Sequence, residues 1–450
     1  MKITAIRLDR LRRPLDPPFL AAWDPVPRRW FDATLVRVDT DEGLTGYGSG
    51  DTMDGFEPYA DLFIGQDARQ IARHVRVLET ISFHAGRYWP LEAALWDIIG
   101  QATGQPVAAL FGGAATRIPA YASFGEARAP QARAEAALAA REAGFRAVKL
   151  RIDRRDPAAG LAAVAAVRAA AGDGLEIMVD LNQWWRMAGD VSASLDLPAV
   201  RLLAAGLADL GVCWLEEPLP GGDWAGMRAL REQTGIRVAG GEMARTPAEL
   251  LDALAAGALD VVQPDVVLSV GLSRARTVAE VALLQGRWFT PHTWTNGLGL
   301  LANLHVAAGV GGGPWLEYPW DPPGWTAERR DFFLAEPVRP DADGCLVVPD
   351  EPGFVVNRLL FPYLFDAVRL LERTGLAPGQ IDSCMKLGAS YPMGPLELLD
   401  FVGLDVADAI GEALFADTGE ASHRPPGRIK QLVGEGKLGK KAGAGFYEYG

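Results

Sequence analysis

The chain has 450 residues, which is too long for one ordinary domain and predicts two or three domains. Hydrophobic residues make up 49%, but no apolar run is long enough to span a bilayer, and the alternating N-terminus is typical of a strand rather than a signal peptide. The net charge of −13 argues against nucleic acid as the main partner. Three widely spaced cysteines, Cys213, Cys345 and Cys384, form no C-x-x-C motif. We therefore expect a cytoplasmic protein with reduced thiols and neither a membrane nor a nucleic-acid partner.

Residues 1–116 have the pattern of an α+β region. Residues 33–48 alternate apolar and polar side chains around an Asp-Glu-Gly turn, which predicts two paired strands. Residues 54–110 have helical periodicity. The best-marked helix begins at Pro90, and Gly104 and Pro106 end it.

From residue 117 to residue 324, short apolar runs alternate with amphipathic helical segments. Eight runs have strand character: one at Tyr121, then 148–152, 177–181, 213–217, 238–242, 261–265, 289–292 and 315–318. Eight βα units in about 200 residues are typical of a closed α/β barrel, in which all strands end at one face. The Gly-rich stretch 311–313 lacks the dinucleotide pattern G-x-G-x-x-G.

Three carboxylates follow or end successive strands of this predicted barrel: Asp180, Glu216 and Glu242. Because the carboxyl ends of the strands share one face, these acids are expected to converge, although 36 and 26 residues separate them. Converging carboxylates repel one another unless a hard cation lies between them. An oxygen-only set of this kind suits Mg²⁺.

Five further polar residues are expected at the same face. Lys149 and Arg151 lie two apart at the end of a strand and therefore share one side of it; taken alone, such a pair is more often a solvated surface feature. Asp265 and His292 end adjacent strands, so that the carboxylate can orient the imidazole as a general base. Glu317, at the last strand, is predicted to donate a proton or hydrogen bond if its pKa is raised. The other histidines are interpreted as structural or surface residues.

Residues 325–351 are irregular and rich in Pro and Asp, and residues 352–450 form a separate all-α module with room for its own core. Five helices are predicted in that module: 356–374, 380–387, 394–401, 406–415 and 429–434.

Residues 1 to about 350 resemble the enolase superfamily in its mandelate racemase-like branch. The matching motifs, in chain order, are Ala94-Leu-Trp-Asp, Lys149-x-Arg151, Asp180-x-Asn182, Trp214-Leu-Glu-Glu-Pro, Gly241-Glu242, Gln263-Pro-Asp265, Pro291-His292 and Glu317. The resemblance implies an N-terminal α+β capping domain at 1–116, a modified TIM barrel at 117–324, and a remnant of the cap or linker at 325–351. It also implies Mg²⁺ held at Asp180, Glu216 and Glu242, and removal of a proton α to a carboxylate.

The chain departs from this branch at Arg151, where a second lysine base often stands. A guanidinium stays protonated and clamps carboxylates, so one-base chemistry at His292 is favoured over racemisation. The expected reaction is dehydration of an acid sugar to a 2-keto-3-deoxy acid, by a homo-oligomer. Asn182 and Trp184, with its neighbour Trp185, are predicted to line the substrate site, although paired tryptophans more often only pack.

Residues 352–449 resemble the C-terminal domain of 3-hydroxyacyl-CoA dehydrogenase. The resemblance rests on motifs that begin at Pro352, Pro392, Gly403 and Gly436. In that family the domain supports dimerisation and shapes the acyl-CoA site. The family's NAD-binding domain is missing here, because a barrel stands upstream, so dehydrogenase activity is not expected from this chain.

Three alternatives stay open at this point. The chain could be a racemase or epimerase with Lys149 as the second base. It could be a catalytically silent assembly protein, because the last segment of the cap is replaced by the helical module. It could also be a CoA-binding module.

Overall fold

The computed structural model describes residues 1–50, 52–334, 336–349, 356–388 and 393–449. They belong to two compact units, residues 1–354 and 355–450. No helix in the described ranges is long and apolar enough to cross a membrane. The division of the chain into four parts stays a prediction, and its junction at Pro352 lies outside the described residues.

The first unit begins with an antiparallel sheet and three helices. The strands are β1 (Ile3–Phe19), β2 (Arg28–Thr40) and β3 (Thr45–Gly48), and the helices are α1 (Ile71–His84), α2 (Pro90–Thr103) and α3 (Val107–Leu110). Helix α2 begins at Pro90 and ends at Gly104, whose φ of 64° favours glycine. Gly48 lets α2 lie directly on the sheet, because a Cβ there would stand 2.0 Å from the Pro90 carbonyl oxygen. The predicted α+β region is confirmed.

The eight predicted barrel strands all form, and they are parallel. They are β4 (Arg117–Ser123), β5 (Ala147–Arg151), β6 (Glu176–Asp180), β7 (Val212–Glu216), β8 (Arg237–Gly240), β9 (Val261–Val262), β10 (Trp288–Phe289) and β11 (Leu316–Pro319). Their order is β10-β9-β8-β7-β6-β5-β4-β11, a curled sheet. Between its two ends the Phe289 amide donates to the Gly312 carbonyl at 3.4 Å.

Helices alternate with these strands. They are α4 (Pro130–Glu142), α5 (Pro157–Ala171), α6 (Leu197–Asp209), α7 (Trp224–Thr234), α8 (Pro247–Ala255), α9 (Leu272–Leu284), α10 (Gly297–Val310) and the short α11 (Ala327–Arg330). Asp156, Asp196 and Asp223 cap three of the helices by accepting a backbone N–H in the first turn. Regular alternation with short capped connections places every strand end at one face, which is where the site forms.

The segment after the barrel is more ordered than its composition predicts. Strand β12 (Cys345–Val347) pairs antiparallel with β4, with Leu346 opposite Ile118. The interpretation of residues 325–351 as irregular is therefore corrected. Three residues are too short a run for alternation to be visible in the sequence, and pairing with β4 supplies the stabilisation.

Two buried polar side chains join the N-terminal helices to the barrel. Glu92 on α2 accepts the backbone amides of Leu272 at 3.0 Å and Ser273 at 2.9 Å, so it caps the N-terminus of α9. His305 on α10 accepts the amide of Ala108 on α3 through Nδ1 at 3.1 Å. Both contacts link segments distant in sequence and hold the capping helices on the barrel.

Acidification is expected to destabilise the first unit through His305. Burial lowers the pKa of His305 from 6.5 to about 3. The unfolded chain therefore binds the proton first, so stability is full above pH 6.5 and is lost as the pH falls towards 3. Between pH 7 and pH 5 the loss from this residue is about 2 kcal/mol.

Urea unfolding followed by tryptophan fluorescence measures this effect, since all 13 tryptophans lie between residues 23 and 325. The His305→Gln variant should lose less stability than the wild type between pH 7 and pH 5. His84→Gln, at an exposed position on α1, is the matched control. Equal losses in the wild type and in His305→Gln would contradict the prediction.

The second unit is helical, as predicted. Its helices are α12 (Val356–Thr374), α13 (Pro378–Gly388), α14 (Pro395–Val402), α15 (Leu404–Thr418) and α16 (Gly427–Gly434). They enclose a separate apolar core that includes Phe365, Leu399 and Ile429. Asp382 caps α14 by accepting the Leu396 amide at 2.9 Å. The predicted motif position Pro392 lies outside the described residues.

Candidate active site

The three predicted metal ligands converge at the carboxyl ends of neighbouring strands. Asp180 is the last residue of β6 and pairs in register with Glu216, the last residue of β7. Glu242 follows the end of β8 by two residues. One oxygen from each side chain lies within 4.8 Å of the others, and all three residues are buried. We call these three residues the carboxylate cluster. The order of the strands in the sheet brings them together.

The donor set of the carboxylate cluster fits Mg²⁺. It offers oxygens only, which is the ligand chemistry that this hard cation prefers. Glu242 Oε1 accepts the indole N–H of Trp185 at 2.8 Å and the side-chain amide of Asn182 at 3.4 Å. Glu242 Oε2 is buried with no hydrogen-bond partner among the described residues. A buried carboxylate oxygen of this kind is expected to take a cation.

Two cations from β5 contact the carboxylate cluster. Lys149 Nζ lies 2.5 Å from Glu216 Oε1 and 3.7 Å from Asp180 Oδ2. Arg151 forms an ion pair with Asp180 and donates to Asn182 Oδ1 at 3.2 Å. Both side chains are buried, so the surface interpretation of the Lys-x-Arg pair is excluded.

The pKa values of Glu216 and its neighbour Glu217 are shifted in opposite directions. Burial disfavours the Glu216 carboxylate, but Lys149 and Arg151 outweigh it and lower its pKa to about 2. Burial, together with Glu242 and Glu216, raises the pKa of Glu217 well above its ordinary value. Both Glu217 oxygens are buried without a hydrogen-bond partner among the described residues. The two neighbouring carboxyls are therefore shifted in opposite directions, and Glu216 is the one that the cations of β5 hold ionised.

The predicted dyad is assembled as expected. His292 Nδ1 lies 2.9 Å from Asp265 Oδ2, which leaves Nε2 free to face the reacting group, 3.7 Å from Glu242 Oε2. Burial opposes the imidazolium, but Glu242, Glu317 and Asp265 outweigh it and raise the pKa of His292 to about 9. Proton affinity at Nε2 is thus set by the surrounding carboxylates, and a cation held at Glu242 would lower it and leave the imidazole able to take a proton.

Asn303 is a site residue that the sequence did not reveal. Its side-chain Nδ2 donates to Asp265 Oδ1 at 3.1 Å, and its side-chain oxygen Oδ1 accepts the backbone amide of Val266 at 3.0 Å. It therefore holds Asp265 in position for His292. The available signal is a lone Asn within the apolar run of α10, where every residue from Gly297 to Gly309 is buried.

The pKa of Glu317 is lowered rather than raised. Burial opposes its ionisation, but Lys149, 2.7 Å from Oε1, and His292 outweigh burial and lower its pKa. Its oxygens accept the Ser123 hydroxyl at 2.7 Å and the Thr293 amide at 3.0 Å. The raised pKa on which the donor role depended is not found; Glu317 accepts hydrogen bonds and pairs with Lys149 in this structure, and its part in the reaction stays a prediction.

A cavity of about 500 Å³ opens at this face. Asn182, Arg151, His292 and Glu242 line it, as expected. Trp185 lines it too, whereas Trp184 does not; the Trp184 ring lies 5.0 Å from that of Trp224. The role of Trp184 in substrate binding stays a prediction, and the ring that lines the cavity is that of Trp185. Four aromatic side chains also line the cavity: Trp23 in the turn between β1 and β2, Trp30 and Phe31 on β2, and Trp294 in the loop after β10.

Replacing Trp185 with Phe is expected to lower the affinity for Mg²⁺ by about tenfold, because an indole N–H that orients Glu242 is lost while the ring is kept. Isothermal titration calorimetry with MgCl₂ on the full chain measures the change. Trp184→Phe is the matched control and should bind as the wild type does. A Trp185→Phe affinity equal to that of the control would show that the indole does not support the cation site.

The comparisons with known proteins agree with this geometry. The family model "Enolase C-terminal domain-like" matches residues 131–357, and the model "3-hydroxyacyl-CoA dehydrogenase, C-terminal domain" matches residues 353–449. D-galactarolactone cycloisomerase of Agrobacterium fabrum is 30% identical over 382 residues, 79% of this chain and 96% of that protein. A crystal structure of a racemase from Streptomyces coelicolor with bound magnesium has a TM-score of 0.66 and 28% identity, covering 78% of this chain and 96% of that one.

The C-terminal segment has relatives of its own. Human mitochondrial hydroxyacyl-coenzyme A dehydrogenase is 52% identical over 101 residues, which are 22% of this chain. The chain spans about a third of that enzyme's length, since the match covers 32% of it. Together with the converging acids of the barrel, these matches show that the chain belongs to the enolase superfamily and carries a C-terminal segment similar to the 3-hydroxyacyl-CoA dehydrogenase C-terminal domain.

Proposed function

We propose that the chain removes the proton α to the carboxylate of an acid sugar and then expels the β-oxygen, forming a 2-keto-3-deoxy acid. The observation that carries this proposal is the His292–Asp265 dyad beside the carboxylate cluster, with a guanidinium at Arg151. One imidazole base is available, and Arg151 does not act as a second one. This combination favours β-elimination over inversion of the α-carbon.

In the proposed reaction the carboxylate cluster, the two cations of β5 and His292 each have a separate part. Asp180, Glu216 and Glu242 would hold Mg²⁺, which supplies Lewis acid stabilisation of the enediolate when bound. Lys149 and Arg151 add positive charge next to the substrate carboxylate. His292 Nε2 takes the α-proton, and the electron pair of the broken C–H bond moves towards the carboxylate, which gives the enediolate. As the β C–O bond breaks, that electron pair forms the double bond of an enol between the α- and β-carbons, and the proton on His292 passes to the departing oxygen. The enol then becomes the ketone as its hydroxyl proton is lost to water and the β-carbon gains one.

A second candidate is cycloisomerisation, which the 30% identity to D-galactarolactone cycloisomerase favours. The first step and the base are the same in both reactions. The difference is the departing oxygen, which in dehydration leaves as water. In a ring-opening isomerisation it stays on the same molecule. The site residues therefore support both, and the substrate decides between them.

Product analysis separates the candidates. The full chain with MgCl₂ would be incubated with a panel of acid sugars and their lactones, and α-proton exchange in D₂O would be followed by NMR. Mass spectrometry then gives the product: one water lighter than the substrate for dehydration, and equal in mass for cycloisomerisation. Inversion at the α-carbon without a keto acid would favour the racemase or epimerase alternative. No exchange from folded, metal-bound protein would favour the silent assembly protein.

The C-terminal segment supports a proposal about the assembly of the chain. We infer from its similarity to a dehydrogenase domain that it supports a homo-oligomer, which multi-angle light scattering of the full chain tests. Acyl-CoA titration by calorimetry tests the CoA-binding alternative, and absence of heat would end it. A cytoplasmic location remains a prediction.

A further inference from the structure

The cavity has an excess of positive charge that proton abstraction alone does not require. Five arginines line it: Arg28, Arg87, Arg151, Arg186 and Arg245. Among the described lining residues the acids are Asp32 and Glu242. This excess stands against a net charge of −13 for the whole chain, so average composition does not explain it. A cleft of one sign attracts a ligand of the other.

Three of the arginines have evident structural partners. Arg28 forms an ion pair with Asp24, and Arg151 pairs with Asp180 in the carboxylate cluster. Arg87 donates to the carbonyl oxygens of Met243 and Ala244 at 3.3 and 3.4 Å, so it fixes the backbone just before Arg245.

The carboxylate of Asp32, the other acid that lines the cavity, is paired with Arg12. Its carboxylate accepts both Nε and Nη2 of Arg12, at 2.5 and 3.1 Å. The negative charge of Asp32 is thus compensated by a guanidinium that does not line the cavity.

Arg186 and Arg245 are left with no carboxylate in ion-pair contact among the described residues. Arg186 donates to the Ser194 hydroxyl, and its Nη1 is buried without a hydrogen-bond partner in the described part of the chain. A buried guanidinium N–H without an acceptor is costly, and an anion in the cavity would relieve it. Arg186 directly follows Trp185, whose indole contacts Glu242, and Arg245 follows Glu242 by three residues. Both therefore stand on loops that leave the carboxylate cluster.

We propose that the substrate carries a second anionic group, a carboxylate or phosphate distant from the reacting carbon, that Arg186 and Arg245 bind. In the proposed reaction Lys149 and Arg151 face the reacting carboxylate, so the buried Nη1 of Arg186 and the exposed Arg245 are available for a second anion. A cavity of about 500 Å³ has room for a six-carbon diacid. This inference rests on the proposed function, and it narrows the substrate class from acid sugars to diacid or phosphorylated acid sugars.

Matched substrate pairs test the proposal. Hexaric acids and hexonic acids of the same stereochemistry differ only at the terminal carbon, and 6-phosphohexonic acids place a phosphate there. We expect kcat/KM for the diacid or the phosphorylated acid to exceed that for the matching monoacid by about tenfold to hundredfold. The better of the two doubly charged substrates then identifies the second group.

Variants test the residues. Arg186→Gln and Arg245→Gln should each raise KM for the doubly charged substrate by about tenfold or more, with kcat little changed, and leave KM for the monoacid unaltered. Arg228→Gln, on an exposed ion pair with Glu232 of α7, is the matched control. An equal rise in KM for both substrates would show that these arginines support the fold or the metal site instead.

The outcomes separate this inference from the proposed function. Turnover of monoacids at least as efficient as that of the matched doubly charged acids overturns the second-anion proposal and keeps proton abstraction. Calorimetric binding of a doubly charged acid, abolished in Arg186→Gln and Arg245→Gln but without α-proton exchange in the wild type, keeps the proposal and overturns the function. If neither binding of the acid nor α-proton exchange is observed, both the second-anion proposal and the proposed function are overturned.

Discussion

Replacement of His292 with Asn is expected to abolish turnover while the affinity for Mg²⁺ stays nearly unchanged. The imidazole supplies the base, and a positioned general base contributes about 10²–10⁴-fold to the rate. Asn keeps a polar side chain of similar reach next to Asp265 but accepts no proton at neutral pH. The measurements are α-proton exchange by NMR and MgCl₂ titration by calorimetry on the same preparation.

The control for this experiment is His84→Asn, at an exposed position on α1, which should keep full activity. Strong loss of metal affinity in His292→Asn would show that the imidazole belongs to the metal site, since Nε2 lies only 3.7 Å from Glu242 Oε2. Retained proton exchange would show that another group is the base, and the dyad assignment would then be wrong.

The second large effect is expected from the Glu216 and Glu217 pair. Glu216→Gln should weaken Mg²⁺ binding by more than about a hundredfold, because an ionised ligand is replaced by a neutral amide. Glu217→Gln should change the affinity little, because burial raises the pKa of the Glu217 carboxyl, its oxygens have no hydrogen-bond partner among the described residues, and the amide has nearly the same shape. Calorimetric titration of MgCl₂ into each full-length variant gives the ranking.

Folding of both variants is checked by urea unfolding, with tryptophan fluorescence as the readout for the first unit. A reversed ranking of metal affinity would move the ligand by one residue along the chain. Equal weakening in both variants would mean that the two carboxylates share the cation, which their opposite pKa shifts argue against.

Much of the fold and part of the site were predictable because they depend on local patterns. Pro90 and Gly104 bound α2 as expected, since one fixes φ for the first turn and the other adopts the left-handed backbone that ends a helix. Asp180 and Glu216 converge because parallel strands of one barrel end at one face, a rule that needs only strand order.

Other site features were not predictable, because they depend on how side chains turn after the strands end. Trp184 and Trp185 are equivalent in sequence, yet only Trp185 reaches the cavity and Glu242. Asn303 acts through a contact with Asp265, 38 residues away. No periodic pattern in the sequence shows which tryptophan faces the cavity or that Asn303 contacts Asp265.

Taken by itself, the sequence determined the eight parallel strands, the helical C-terminal unit and the identity of the acids at the strand ends, because hydrophobic periodicity and turn residues are local properties. The tertiary structure alone decided the charge states and partners in the site. Glu317 accepts rather than donates because Lys149 lies 2.7 Å away and outweighs the burial that would otherwise protonate it. Arg186 and Arg245 face one cavity because separate loops bring them there. Protonation and ligand preference are set by neighbours in space, which the linear order of residues does not specify.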